Sequence, residues 1–236
     1  MTAIVTGGSA GIGLEIVREL LNQGEDVVSL DLKPNPEKRA KHMAVDLTDN
    51  KATEWAAKEI AKAHPVTTLI HNAGTIRPAL LAEVKLEDLS ALVNLHISAA
   101  VILLQASLPA MRAAGFGRVV LVSSRAVLGL PTRTSYSATK AGMLGLARTW
   151  ALELAPQGIT VNVVAPGPIE TDNFHSVIPR GSPQVEKIAQ AIPVKRLGQA
   201  GDVARAVLFF AHRDNGFVTG QVLYVCGGTS VGTLTL

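Results

Sequence analysis

Residues 6–13 read TGGSAGIG, four glycines in eight positions. Glycine loses more conformational freedom on folding than any other residue, so such a loop is costly unless the backbone must come close to something. The apolar run AIVT (3–6) precedes it, and GLEIVRELL (13–21), with apolar residues at helical spacing, follows. A glycine turn between a strand and a helix carries backbone N–H groups and the positive end of the helix up to an anion, a pyrophosphate in dinucleotide-binding folds. The spacing here is Gly7-xxx-Gly11-x-Gly13 rather than G-x-G-x-x-G, and no Lys-Ser/Thr pair follows as a nucleoside-triphosphate loop requires. A tight turn with close helix packing is the bland alternative.

Outward from the loop, short runs rich in β-branched residues recur: AIVTG, DVVSLDL, HMAVDL, TTLIHNAG, GRVVLVSS, GITVNVVAPG and QVLYVCGG. Amphipathic stretches such as ATEWAAKEIAKAH lie between them. Strands alternating with helices of that length give βαβ units, right-handed crossovers and a parallel sheet covered on both faces. The expected fold is α/β, a doubly wound, Rossmann-type sheet of seven parallel strands. No linker divides the chain, so residues 1–236 are expected to form one domain holding both cofactor and substrate sites. Residues 171–198 carry three prolines and few strand signals, and are expected to form a substrate-binding lid.

Bulk properties narrow the classes. The chain is 47% apolar and only 17% charged, which suggests extra burial in a two-faced sheet or in subunit contacts. A formal charge of +3, with no basic run, argues against a nucleic-acid partner. Cys226 is the only cysteine, no charged leader precedes the first strand, and a reducing cytoplasm fits. The apolar segment Leu89–Met111 is broken by Asn94, His96, Ser98 and Gln105. It is expected to be a helix buried on most of its sides, in the core or at a subunit contact, rather than a membrane span. No His, Cys or Asp cluster has metal-ligand spacing, so no metal is expected.

Two further features carry chemistry. Asp31 ends the second strand candidate about 20 residues beyond the loop, where a carboxylate accepts hydrogen bonds from an adenosine ribose and repels a 2′-phosphate. With no cation inside the loop and only Lys33 nearby, NAD is favoured over NADP. In SYSATKAG, Tyr136 and Lys140 are four apart and share one helix face. A tyrosine of pKa about 10 is a poor base near neutrality, and a neighbouring ammonium lowers that value. The pair follows VVLVSS, the end of a strand and so the ligand-binding rim of a parallel sheet, where a serine hydroxyl can reach the reacting oxygen. His71 and His96 lie in apolar surroundings and read as packed core or helix residues.

In this order, TGGSAGIG, Asp31, Asp46-Leu47, NAG (72–74), Asn94, the serine, Tyr136 with Lys140, and PGPIET (166–171), the sequence resembles the short-chain dehydrogenase/reductase family of the compact kind over nearly its whole length. The resemblance implies that Tyr136 is the general acid/base, that Lys140 binds the nicotinamide ribose and lowers the tyrosine pKa, and that Asn94 holds a water extending the relay. It implies cofactor contacts from Gly7, Ser9, Gly11, Ile12 and Gly13, from Asp46 to the adenine amino group and Leu47 to its ring, and from Asn72, Ala73 and Gly74 along the adenosine ribose. Pro166, Gly167, Ile169 and Thr171 would line the nicotinamide end, the last two fixing its carboxamide. The family's usual serine-to-tyrosine spacing selects Ser123, and the count from the strand start selects Ser124. Ser124 is preferred, because loops absorb deletions more readily than strands.

The expected activity is NAD-dependent hydride transfer between the nicotinamide and a small-molecule secondary alcohol or ketone, with a sugar or hydroxy acid among the candidates. Arg125, Arg133, His175 and Arg180 would favour an anionic substrate if they border the pocket. One alternative is an NADP-dependent 3-oxoacyl-carrier reductase, and another is an NAD-binding sensor or scaffold without turnover. A homo-oligomer, dimer or tetramer, is expected through Leu89–Met111 and the helix 136–154.

Overall fold

The computed structural model describes residues 1–231. In chain order its elements are β1 (Thr2–Thr6), α1 (Gly11–Asn22), β2 (Asp26–Asp31), β3 (Lys41–Ala44), α2 (Asn50–Ala63), β4 (Val66–His71), α3 (Leu86–Val93), α4 (Ala99–Ala114), β5 (Gly117–Val122), α5 (Thr134–Leu154), β6 (Ile159–Pro166), α6 (Asp172–His175), α7 (Pro183–Ala191), α8 (Ala200–Ala211) and β7 (Val222–Val225). The seven strands form one sheet in the order β3-β2-β1-β4-β5-β6-β7, every neighbouring pair parallel. This is the doubly wound fold expected from the alternation of runs. The chain winds from β1 outward to β3, returns to β4 beside β1, and winds the other way. The crevice at that reversal, at the carboxyl ends of β1 and β4, is where such sheets bind ligands.

Every residue of β1, β4, β5 and β6 is buried, as strands covered on both faces require. One core lies between the sheet and α1 with α8, built on Ile16, Val17, Leu20, Val203 and Val207. The other lies between the sheet and α2, α4 and α5, built on Ile60, Leu103, Met111 and Met143. Small residues on α2 (Ala56, Ala57) and α4 (Ala99, Ala100) let those helices approach closely. Asp49 starts α2 by accepting from the N–H groups of Lys51 and Ala52.

The segment expected as one mostly buried helix differs in two ways. α3 and α4 are joined through a π-turn at Asn94–Ser98, so Leu86–Ala114 is a single rod of 29 residues with a bulge. The rod is long and apolar enough to cross a membrane by length and composition, and 39% of its most apolar window is buried, so "buried on most of its sides" overstates it. One stripe (Leu92, Leu95, Ala99, Leu103, Met111) is committed to the core and the opposite side is not.

Arg118 on β5 is 3% exposed and, among the described residues, has no carboxylate partner. Its guanidinium donates to the carbonyls of His212, Arg213, Gly117 and Gly158 and lies 4.3 Å over the Phe116 ring. It ties the amino-terminal end of the sheet to the segment after α8, far from the reversal crevice. Arg118→Ala is expected to cost about 2–3 kcal/mol in denaturant unfolding, because buried carbonyls lose charged donors, while ligand affinity at the crevice stays unchanged.

Candidate active site

One cleft of about 1010 Å³ runs along the carboxyl ends of the strands, from Asp31 at one end to Tyr136 and Lys140 at the other. Its floor is the glycine loop. Gly7 has φ +64° and Gly11 φ +51°, which L side chains rarely adopt. A Cβ on Gly13 would stand 2.0 Å from the Gly7 carbonyl oxygen, so the loop closes over the start of α1 only without a side chain there. No side chain caps α1, whose first-turn N–H groups are left for an acceptor in the cleft. The donor set suits an anion such as a pyrophosphate.

Asp31 stands at the far end with both oxygens engaged. Oδ2 accepts the Ser9 N–H (3.0 Å) and Oδ1 the Lys33 N–H (3.1 Å). Asn35, in what reads as a polar connector, is buried and donates to the Gly8 carbonyl (2.8 Å) and Ser29 Oγ (2.9 Å), bracing the loop from behind. Nothing in the sequence pattern signalled that brace. Asp46 and Leu47 follow β3 beside this end, Asp46 turned in on Thr48.

At the other end, Ser124 follows β5 and faces the cleft beside Tyr136, its Oγ accepting the Ala126 N–H at 3.1 Å. Ser123 is turned the opposite way, donating to the Lys140 carbonyl at 2.8 Å while 3% exposed. The one-residue alternation of an extended chain separates the two hydroxyls. Lys140 is 2% exposed and its Nζ donates to the Val122 carbonyl at 2.7 Å. Burial brings its pKa down to about 7. Burial pushes the Tyr136 pKa up, and the neighbouring Ser124 hydroxyl and Arg133 charge oppose that. The ammonium nitrogen lies 5.9 Å from the tyrosine ring centroid, and its firm hydrogen bond goes to Val122.

Gly7, Gly11, Ile12, Asp31, Asp46, Leu47, Asn72, Ala73, Gly74, Ser124, Tyr136, Lys140, Pro166, Gly167, Ile169 and Thr171 all line the cleft. Three expected residues do not. Gly13 lies beneath the loop, and Ser9 turns its hydroxyl to the Lys33 carbonyl. Asn94 is the third: its side-chain amide donates to the Thr48 carbonyl (3.0 Å) and accepts from Asn50 (3.3 Å). The π-turn aims it at the start of α2, so its side chain braces the Asp46–Thr48 loop instead of facing Lys140.

Thr6 and two histidines form the wall behind. Thr6 Oγ1 accepts the N–H groups of Asn72 (3.0 Å) and Ala73 (2.9 Å) and donates to His71 Nδ1 (3.0 Å). His71 Nε2–H donates to the Leu95 carbonyl at 3.0 Å, in the bulge of the rod. His71 and His96 are buried as expected, yet both are polar parts of the site wall, and burial holds both imidazoles neutral.

Of the four candidate cations, Arg125 and Arg133 line the cleft. Arg180 pairs with Asp172 at 2.6 Å and His175 faces Glu170 at 3.5 Å, outside the wall. The segment 171–198 contributes Thr171, Asp172, Asn173, Phe174, Val177, Ile178 and Ile188 to one side. Among the described residues, no group of three or more His, Cys, Asp or Glu side chains could hold a metal ion.

Comparison with known proteins agrees with this geometry. A family model described as enoyl-(acyl carrier protein) reductase matches residues 7–230. The chain is 34% identical to a 3-oxoacyl-[acyl-carrier-protein] reductase of Rickettsia bellii, covering 96% of this chain and 95% of that one. It is 34% identical to the (2S)-[(R)-hydroxy(phenyl)methyl]succinyl-CoA dehydrogenase subunit BbsD of Thauera aromatica, over 97% and 96%. Among solved structures, a proposed NAD(P)-dependent gluconate 5-dehydrogenase from Beutenbergia cavernae, with NADP bound at low occupancy, superposes with a TM-score of 0.89 at 31% identity, over 96% and 95%.

A buried ammonium with one firm hydrogen bond opposes folding. At pH 6 Lys140 is charged folded and unfolded, so the whole burial cost is present; above pH 7 the folded state sheds the proton and the cost shrinks. Lys140→Met is therefore expected to melt higher than wild type at pH 6, with the gap narrowing by pH 9 in thermal scans.

Proposed function

Because the chain belongs to the short-chain dehydrogenase/reductase family, and so is an oxidoreductase acting on CH–OH/C=O groups, we propose that it interconverts 3-hydroxyacyl and 3-oxoacyl thioesters with NAD(H). The observation that carries the chemistry is the convergence of Ser124, Tyr136 and the buried Lys140 on one end of the cleft. The thioester is supported by the relatives, whose named substrates are carrier- or coenzyme A-bound acyl groups. Apolar lining from Ile76, Leu130, Pro131, Val177 and Ile188 suits an acyl chain. The cofactor is supported by Asp31: a 2′-phosphate would meet a carboxylate, with both oxygens already tied to the backbone.

The glycine loop and the uncapped start of α1 hold the pyrophosphate, and Asp31 holds the adenosine ribose. The nicotinamide, when bound, supplies the hydride in reduction and accepts it in oxidation. Ser124 donates to the substrate oxygen and orients it. In reduction that oxygen gains a proton from the Tyr136 hydroxyl; in oxidation the tyrosine takes it back, as a general acid/base whose anion the Arg133 charge favours. Lys140, linked to Val122, holds the charge on the far side of the tyrosine. Arg125 and Arg133 give an anionic small substrate a second claim on the cleft. The rod Leu86–Ala114, with one side uncommitted, and the 82%-exposed Leu152 of α5 support a homo-oligomer, checked by light scattering.

The test is turnover of acetoacetyl-CoA, and of sugar acids beside it, with NADH and NADPH compared. NADH is expected to be preferred at least about tenfold, and Asp31→Ala to narrow that ratio by about the 1.5–3 kcal/mol that hydrogen bonds to a charged group are worth. A preference for NADPH would overturn the reading of Asp31, and turnover of sugar acids alone would replace the thioester. Tyr136→Phe should bind NADH as wild type does and lose about 10²–10⁴-fold in kcat. Unchanged activity in that variant would remove Tyr136 from the reaction.

A further inference from the structure

Among the described residues, one buried polar atom of the site wall has no partner and no role in the scheme above: Nε2 of His96. His96 is fully buried in the bulge of the rod, two residues after Asn94. Its Nδ1 lies 2.8 Å from Thr139 Oγ1. The single hydrogen of that hydroxyl goes to the carbonyls behind it, Ser135 at 2.9 Å and Tyr136 at 3.1 Å. Thr139 therefore accepts, Nδ1 carries the imidazole proton, and Nε2 is a bare lone pair; the network assigns this tautomer.

That lone pair does not face apolar packing. A methyl group on Gly74 would stand 3.1 Å from His96 Nε2 and 3.3 Å from Lys140 Nζ, so the two nitrogens converge over the side of Gly74 that lacks a side chain. An ammonium has three hydrogens. Lys140 gives one to Val122, and the sulfur of Met143, at 3.9 Å, is a weak acceptor. An under-used donor thus faces an unused acceptor. The imidazole also lies edgewise to the Tyr136 ring, with centroids 5.7 Å apart and planes at 79°, so it abuts both members of the proton-transferring pair.

The titratable groups packed around Lys140 are His71 from β4, His96 from the bulge and Tyr136 from its own helix. Burial alone moves the lysine, with no carboxylate contributing. His71 has both ring nitrogens taken, by Thr6 and by the Leu95 carbonyl. Of the two imidazoles, His96 is the one with a free lone pair.

We propose that His96 is a positioning residue for Lys140: its Nε2 accepts a hydrogen bond from the lysine ammonium, directly or across one water beside Gly74, and holds that ammonium alongside Tyr136. The inference rests on the reading of Tyr136 and Lys140 as the proton-transfer pair, but the contact itself can be measured without turnover.

Long-range ¹H–¹⁵N spectra of the wild-type protein read the tautomer, and [ε-¹³C]lysine labelling reads the titration of Lys140, assigned with Lys140→Met. The expected result is a neutral His96 protonated on Nδ1 from pH 5.5 to 8.5. The Lys140 midpoint should fall by about one pH unit in His96→Leu, since the lost hydrogen bond stabilises the charged form, and recover in His96→Gln, whose Oε1 restores an acceptor. Where a substrate is turned over, His96→Leu should lower kcat about tenfold with little change in KM, and its activity should fall away at lower pH than wild type on the basic side. A proton on Nε2 in the wild type overturns the proposal, as does a cooperatively folded His96→Leu whose Lys140 midpoint is unmoved. If His96→Leu does not fold, the wild-type tautomer and the His96→Gln titration decide it in the same terms. Absence of any turnover bears on the proposed reaction and leaves the spectra as the judge of the contact.

Discussion

A single hydroxyl, Thr6 Oγ1, joins the parts of this structure that must stay in register. It has one hydrogen and two acceptor positions, and all three are used: Asn72 N–H, Ala73 N–H and His71 Nδ1. Thr6 is the last residue of β1 and the first of the glycine loop, whereas residues 71–73 end β4 and begin its turn. The bond network therefore sets the spacing of the two strand ends that flank the reversal of the sheet. Through His71 it reaches the Leu95 carbonyl in the bulge of the rod. The loop expected to hold the pyrophosphate and the helix carrying His96 are thus two hydrogen bonds apart.

The bulge is what makes the rear wall polar. An α-helix satisfies its own interior carbonyls, and a π-turn loosens that pattern, which is why such turns gather at functional sites. Here it exposes the Leu95 carbonyl to His71, sends Asn94 towards Thr48, and brings His96 behind Gly74. Gly74 matters for the opposite reason to Gly7. Its backbone needs no unusual φ; what it contributes is the missing side chain that lets an imidazole and an ammonium approach one point.

The sheet was legible in the sequence because burial on both faces forces short β-branched runs, and those seven runs are its seven strands. The cleft was legible too, since parallel strands place their carboxyl ends on one rim and the motif residues lie at those ends. The rest depended on side-chain direction, which pattern does not carry. Ser123 and Ser124 are adjacent letters with opposite hydroxyls. Asn94 has the expected neighbours in sequence, but a bulge re-aims its amide. Asn35 sits in a polar connector that composition marks as exposed, yet it is buried against the Gly8 carbonyl. His71 and His96 looked like core residues because apolar neighbours surround them; only the partners of each ring nitrogen distinguish a packed imidazole from a working one.

The reaction class and the substrate are written in different kinds of structure. Ser124, just past β5, and Tyr136 and Lys140 on α5 are held together by two bonds, Ser123 to the Lys140 carbonyl and Lys140 to the Val122 carbonyl. These two bonds cross between the same strand end and the same helix turn in opposite directions, so the strand cannot slide along the helix without breaking both. Rigidity of that kind constrains residue type and leaves a readable motif. The opposite wall comes from residues 171–198, whose short helices α6 and α7 pack as a small separate cluster around Ala189, Ile192 and Leu197. That cluster can change its side chains without disturbing the sheet or the proton-transferring group. A cleft built this way can keep one chemistry while its apolar side is shaped to the molecule it takes.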